Sequence, residues 1–192
     1  MKHRKIWIAA IAIAFSGGGL AIALTPDDPD VVELLSGISF APSKSNIDLV
    51  MGNAALEDLI VIAQDETDGS DIGLRIRAFR ALGVFDDSEN KDLAVTALTE
   101  SVALYKNSTS GEEVLFLRAS ILSLAQLSKE NSVNTIIGLL SHSSRDIRAA
   151  SAQALGITGS SNAVQPLRNQ ALIEEQTQVI LAIADALFLL EE

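Results

Sequence analysis

A ten-residue pattern that recurs along the chain constrains the fold more than any other feature of the sequence. Residues 74–83, LRIRAFRALG, align without gaps on residues 147–156, IRAASAQALG. A weaker copy begins at Leu117, and a fourth copy, without the arginine, begins at Val179. Successive copies therefore start between 30 and 43 residues apart. A period of this length indicates repeated supersecondary units that stack on one another.

Each copy has the spacing of a helix with one apolar face. In the copy at residue 147 the apolar positions recur every three or four residues, and they are Ile147, Ala150, Ala154 and Leu155. Small residues on this face let a neighbouring helix approach closely, so we expect Ala154 to lie in the core. Gly83 and Gly156 follow the last apolar residue of their copies, and we expect each to form a left-handed helix stop.

A second apolar run precedes each copy, which predicts that the helices come in pairs. These runs cover about residues 49–63, 93–105, 133–140 and 163–172. The resulting pairs span about residues 47–85, 90–127, 131–157 and 161–190. Because one pair cannot bury both of its faces, we expect about four antiparallel pairs to stack into an all-α solenoid over residues 47–192. The composition agrees with this fold, since aromatic residues make up only 4% and only four prolines are present.

The repeated pattern resembles the HEAT-like repeats, and specifically the short bacterial type named after the phycobilisome lyases. IRAASAQALG is similar to the VR…A…ALG core of that family, LRIRAFRALG matches it well, and the other two copies match only in apolar spacing. The resemblance covers about residue 47 to the C-terminus. It implies an α-solenoid that usually binds proteins, and it transfers no particular activity. It also implies that the recurring Arg75, Arg118 and Arg148 brace neighbouring turns; a ladder of arginines that binds an acidic partner is the alternative.

The N-terminus has the pattern of an export signal. Residues 2–5 are basic, residues 6–15 form an uninterrupted apolar run, and Ala21-Ile22-Ala23 supplies the small-x-small pattern of a signal-peptidase site. We therefore expect a signal peptide over residues 1–23, followed over residues 24–46 by an acidic, proline-containing spacer and a short helix. The alternative is an uncleaved anchor over residues 6–24. Both interpretations predict export to the periplasm or the cell exterior, with membrane contact only through an uncleaved N-terminal segment.

The composition excludes several classes of site. Cysteine is absent, and the two histidines are His3, in the expected leader, and His142. Thiolate sites, a cysteine nucleophile and a histidine-rich metal site are therefore excluded, and we expect no cofactor. The formal net charge of −11 also disfavours nucleic acid as a partner, because an acidic surface repels phosphates.

Two polar connectors contain residue types that are used in catalysis or cation binding. His142, nearby serines and Asp146 have the composition of a catalytic triad, but they share one connector between helices, so we predict no catalytic residue. The acidic connector of residues 65–71 suits a hard cation in composition, yet its spacing fails the helix-loop-helix calcium pattern. We interpret it as a solvated loop in which Asp71 caps a helix, with cation binding as the alternative.

Two groups of residues are candidates for partner binding. The first is a locally basic stretch of the first repeat helix, Arg75, Arg77 and Arg80. The second comprises Phe188 and Leu189, in an apolar run whose only charge is Asp185. A helix that is apolar on every side is normally buried on every side, so this run is either covered by the fourth pair or contacts a second copy or a partner.

Together these features predict an exported, non-catalytic protein-binding or scaffold module that acts through a helical-repeat surface. The structural positions of the repeat are expected to be Arg75, Gly83, Arg118, Arg148, Ala154 and Gly156. The alternatives are an enzyme or enzyme subunit similar to the bilin lyases, and a passive structural spacer.

Overall fold

The computed structural model describes residues 28–36, 42–67, 69–86, 89–109 and 111–191. The expected leader, residues 1–23, lies outside these residues. The first helices are α1 (Pro29–Leu35), α2 (Lys44–Met51) and α3 (Ala55–Ala63). They are followed by α4 (Ile72–Leu82), α5 (Lys91–Tyr105), α6 (Gly111–Ser128), α7 (Val133–Ile137), α8 (Arg145–Thr158), α9 (Val164–Ala171) and α10 (Thr177–Glu191). No β-strand occurs in the described ranges.

The helices form two layers. In the stacked layer, α4, α6, α8 and α10 each pack against the next member. The cover helices α3, α5, α7 and α9 each lie mainly against the next helix of the stacked layer, so consecutive helices form pairs. The predicted fold class, an all-α solenoid of stacked helix pairs, is confirmed.

The first part of the array differs in detail from the prediction. The apolar run of residues 49–63 is not one helix, because Gly52 has a φ of +70° and starts a 3₁₀ turn, Gly52–Ala54, between α2 and α3. The short α1 packs on α2 and α4 and buries Val31 and Leu35. The end of the first pair is therefore covered by the segment that precedes it.

The two repeat glycines serve a different purpose from the one predicted. Gly83 follows α4 with an ordinary right-handed φ of −66°, and α8 continues through Gly156 to a left-handed stop at Gly159. The prediction of left-handed stops at Gly83 and Gly156 is therefore wrong. A Cβ at Gly83 would lie 3.0 Å from Ser123 Oγ, and a Cβ at Gly156 would lie 3.0 Å from Ala186 Cα. Both glycines instead allow close approach of the next stacked helix.

Apolar side chains between the stacked helices form a continuous core. Ala154 and Leu155 of α8 have no exposed surface. At the start of α4, the Asp71 carboxylate accepts a hydrogen bond from the backbone N–H of Leu74 at 2.9 Å, as expected for a helix cap. Among the described helices, none has both the length and the apolar character needed to cross a membrane.

Candidate protein-binding surface

Arg75 is directed into the interior of the first two pairs. Its side chain is buried, Nε donates to the carbonyl oxygen of Ala63 at 3.2 Å, and Nη2 donates to Tyr105 Oη at 3.3 Å. The guanidinium carbon lies 4.1 Å from the centre of the Phe116 ring, which adds a cation–π contact. Arg75 therefore joins α3, α4, α5 and α6. Its burial removes it from the predicted partner-binding stretch.

Tyr105, which accepts the hydrogen bond from Arg75 Nη2, is a neutral phenol. Burial raises the pKa of Tyr105 above its usual value, and the nearby positive charge of Arg75 offsets only part of that effect. The phenol therefore keeps its proton at neutral pH and can accept from Arg75 through the oxygen lone pairs.

Arg148 occupies the corresponding place in the third pair and is also held internally. Its Nε and Nη2 donate to the two carboxylate oxygens of Glu174 at 2.7 and 2.8 Å, and its Nη1 donates to the carbonyl oxygens of His142 and Ser143 at 2.9 and 3.2 Å. These hydrogen bonds outweigh burial and lower the pKa of Glu174 to about 2, so the carboxylate is fully ionised at neutral pH. The arrangement ties the turn before α8 to the turn before α10.

His142 belongs to the same turn. Its Nδ1 accepts a hydrogen bond from the backbone N–H of Ser144 at 3.0 Å. The side chain lines an open hollow together with Ser141, Ser143, Arg148, Gln170, Ile173, Glu174, Glu175 and Gln176. The Arg148 donors and Glu174 oxygens that face this hollow are engaged with each other, so the geometry is that of a braced turn.

Arg118 departs from the other two repeat arginines. It is exposed on α6 and has no hydrogen-bond or ion-pair partner among the described residues. The residue that contacts each repeat glycine shows the reason. Gly156 contacts Ala186, which lies seven residues after the start of its copy at Val179. Gly83 contacts Ser123, which lies only six residues after the start of its copy at Leu117. The weaker copy is therefore displaced by one residue from its sequence alignment, which turns Arg118 outward and corrects its predicted bracing role.

The stacked layer leaves one side free of other helices, and we call this side the stack surface. Each of α6 and α8 has a stacked helix on both flanks and a cover helix on a third side. The stack surface is the remaining side, opposite the cover helices. Its exposed members on α4, α6 and α8 include Arg80, Leu115, Arg118, Gln153 and Ile157, and Glu112 and Gln126 lie on the same side of α6 as Leu115. Leu115 and Ile157 remain 42% and 45% exposed. This surface therefore combines apolar side chains with two arginines that have no acidic partner in the described part of the chain.

Arg77 lies beside this surface. It is half-buried, and its Nε has no hydrogen-bond partner among the described residues. Arg80, one helical turn further along α4, is exposed. Of the basic stretch predicted on the first repeat helix, Arg80 is therefore the member that is accessible to another molecule.

The outward side of α10 forms a second exposed area, which we call the terminal face. It consists of Ile180, Leu181, Ala184, Asp185 and Phe188, all of which are exposed. Phe188 is 65% exposed, and no described element covers it. Leu189, at 57% exposure, lies beside α8, since its Cδ1 is within 3.5 Å of a Cβ placed at Gly156. The two predicted candidate groups thus lie at opposite ends of the stacked layer.

Sequence reasoning missed several of these exposed residues. Ile157 was missed because the helix was expected to stop at Gly156. Leu115 was missed because it precedes the start of its copy at Leu117, although its three-residue spacing to Arg118 is visible in the sequence. That spacing is the signal that would have placed it on a solvent-facing stripe.

The acidic connector is described except for Asp68. Asp65 accepts a hydrogen bond from the backbone N–H of Thr67 at 3.0 Å, and Asp71 caps α4. The described residues contain no group of three or more acidic or histidine side chains arranged to hold a metal ion. These contacts are those of an ordinary polar loop.

Comparison with known families gives one match. Residues 103–187, from the end of α5 into α10, match a family model described as HEAT repeats. No curated protein matches the chain.

Proposed function

We propose that the chain, whose residues 103–187 match a HEAT-repeat family model, is an exported, non-catalytic scaffold of HEAT-like repeats that binds a protein partner on its stack surface. HEAT repeats generally mediate protein–protein interactions. The observation that carries the proposal is the row of apolar and basic side chains left exposed along α4, α6 and α8, which other helices leave open.

The composition of the stack surface supports this role. Leu115 and Ile157 supply apolar area that a partner can bury, while Arg80 and Arg118 supply donors for carboxylates. Arginine is among the residues enriched at protein interfaces. In a chain with a formal net charge of −11, Arg80 and Arg118 give this surface two exposed basic groups beside Glu112, and these two groups favour a partner with acidic residues.

The experiment is affinity capture followed by measurement with the purified partner. The protein is immobilised, partners are recovered from an envelope fraction of the source cells, and the affinity of the main partner is measured by calorimetry. Leu115→Glu/Ile157→Glu should weaken binding by about tenfold or more, because two buried contacts become charged. The matched control is Leu93→Glu/Leu104→Glu on the cover helix α5, whose two leucines are 45% and 61% exposed. Equal loss of affinity in both variants, or in neither, would contradict the proposal.

A further inference from the structure

We propose that the terminal face is a separate docking surface, and that its occupant is an amphipathic helix of another protein that presents apolar residues flanked by lysine or arginine. The proposal concerns Ile180, Leu181, Ala184, Asp185 and Phe188, and it does not depend on the stack surface. It rests on how α10 differs from the stacked helices before it and on the charges that surround its exposed side.

The terminal face differs from the faces that stack inside the array in the residue at the position of closest helix approach. Gly83 and Gly156 each lie nine residues after the start of their copy, where the next helix approaches them most closely. Phe188 lies nine residues after the fourth start, Val179. The second copy has no glycine at this place, and α8 still stacks on α6, so a glycine is not essential there. Phe188 is nevertheless much larger than the glycines of the first and third copies, so another helix cannot pack on α10 as α10 packs on α8. The face is therefore unsuited to a further stacked repeat.

The exposed residues nevertheless form a coherent stripe. Leu181, Asp185 and Phe188 are separated by four and three residues, so they share one side of the helix. Leu181 and Phe188 are 59% and 65% exposed. Two large apolar side chains at this spacing match the anchor spacing with which amphipathic helices bind one another.

The charge around the stripe selects the kind of partner. Within the last pair, the guanidinium of Arg168 is paired with Glu191 at 2.9 Å, and Glu174 is paired with Arg148. Asp185, within the stripe itself, is exposed and has no basic partner in the described part of the chain. An apolar stripe with an uncompensated carboxylate is complementary to an apolar stripe flanked by basic residues.

The same charge argues against a second copy as the occupant. A two-fold contact centred on the stripe would bring Asp185 close to its own counterpart, since such contacts use the same patch on both molecules. Like charges brought together at an interface oppose association, and the net charge of −11 adds a general repulsion. The occupant is therefore a different, basic molecule.

The test uses a labelled synthetic helix and the whole protein. The probe is a peptide of about 18 residues, five helical turns, with leucines at i, i+3, i+4 and i+7 and lysines flanking them. Two comparison peptides replace the lysines by glutamates, or the leucines by serines. Fluorescence anisotropy should show binding of the lysine-flanked leucine peptide and at least about tenfold weaker binding of the other two.

Variants of the protein distinguish peptide binding at the terminal face from attraction of the peptide to the net charge of the protein. Phe188→Ala and Asp185→Lys should each weaken binding of the lysine-flanked peptide by about tenfold, and Asp185→Lys should strengthen binding of the glutamate-flanked peptide. The controls are Leu104→Ala and Glu100→Lys on α5, which make comparable changes at exposed positions. Neither control should change the affinity by more than about twofold.

Three results would overturn the inference. The first is an equal effect of Asp185→Lys and Glu100→Lys, which would show attraction to net charge alone. The second is a concentration-dependent dimer in light scattering that Phe188→Ala dissociates, which would make a second copy the occupant. The third is loss of peptide binding in Leu115→Glu/Ile157→Glu but not in Phe188→Ala. That result would place the peptide on the stack surface and leave the proposed function intact.

Discussion

Gly156 and Ala186 bring α8 and α10 so close together that a side chain on Gly156 would require α10 to shift. A Cβ at Gly156 would stand 3.0 Å from the Cα of Ala186 and 3.1 Å from its Cβ. Both atoms belong to or adjoin helix backbone, which cannot move away without displacing α10. We therefore predict that Gly156→Leu lowers the free energy of unfolding by about 2–3 kcal/mol, measured by denaturant unfolding. Leucine is a good helix former, so the loss would come from the contact.

Gly138 provides the matched control for this substitution. It follows α7 with a right-handed φ of −58°, it is exposed, and a Cβ there would meet only the carbonyl oxygen of Thr135 at 3.5 Å. Gly138→Leu should change stability by less than about 0.5 kcal/mol. A Gly156→Leu variant as stable as Gly138→Leu would show that α10 does not pack on α8 in this manner.

The contact also shows what the sequence can and cannot reveal about this fold. The helix pairs follow from the three-to-four-residue spacing of apolar positions, which local geometry controls. The function of Gly156 depends on Ala186, thirty residues away, and periodicity contains no information about that distance. A glycine after the last apolar residue of a helix is equally typical of a left-handed helix stop and of a close helix contact. The sequence alone therefore could not distinguish the two at Gly156.

The candidate site was predictable to a smaller degree. Phe188 was recognised because an apolar run with a single charge is unusual for one helix. The sequence offers Arg75 both as a bracing residue and as a member of the binding stretch, and only its burial against Tyr105 and Phe116, which belong to two other helices, decides for the brace. Arg118 was misassigned because a one-residue displacement of its copy turns a bracing position outward. Long-range packing decides these cases, and a motif alignment does not contain it.

A second prediction concerns acid stability. The carboxylate of Glu174 is 3% exposed and accepts two hydrogen bonds from Arg148, which lower its pKa from 4.5 to about 2. A lowered folded-state pKa stabilises the protein above the unfolded pKa, near 4.5, and this stabilisation is lost as the pH falls towards 2. Glu174 should account for about 3 kcal/mol of this loss at most. Unfolding measured at intervals from pH 7 to pH 2 should show the decline.

Glu174→Gln should remove the part of this pH dependence that belongs to the ion pair. The variant should be less stable than the wild type at pH 7, and the difference between them should shrink as the pH approaches 2. Glu175→Gln is the control, because Glu175 is the exposed neighbour without a basic partner in the described residues. A constant difference between Glu174→Gln and wild type at every pH would disprove the linkage.

A third prediction separates two arginines that occupy similar places in the sequence pattern. Arg75→Met should cost about 2 kcal/mol or more, because the carbonyl oxygen of Ala63 loses its buried donor and the cation–π contact is lost. Arg118→Met should change stability by less than about 0.5 kcal/mol, since Arg118 is exposed and unpaired in the described part. Thermal melts of both variants make the comparison. Equal losses would show that the second copy is in register with the first after all.

A fourth prediction tests the core of the stacked layer at neighbouring positions of α8. Ala154 is fully buried, so Ala154→Asp places a charge where no partner is available and should cost several kcal/mol, on the order of the largest single-residue effects. Gln153 is exposed, and Gln153→Asp should be nearly neutral. Circular dichroism melts measure both variants. A melting temperature of Ala154→Asp equal to that of Gln153→Asp would place this face outside the core.

The last prediction concerns export. Basic residues 2–5, the apolar run 6–15 and the Ala21-Ile22-Ala23 pattern together have the order of a cleavable signal, so we expect the exported protein to begin at Leu24. Small residues are required at the two positions recognised by the peptidase, and Ala21→Leu/Ala23→Leu should therefore retain the leader on a membrane-bound precursor. N-terminal sequencing and fractionation of source cells measure both outcomes. An intact Met1 in the membrane fraction of wild type would establish the uncleaved anchor of residues 6–24 instead, and a cytosolic protein would refute export altogether.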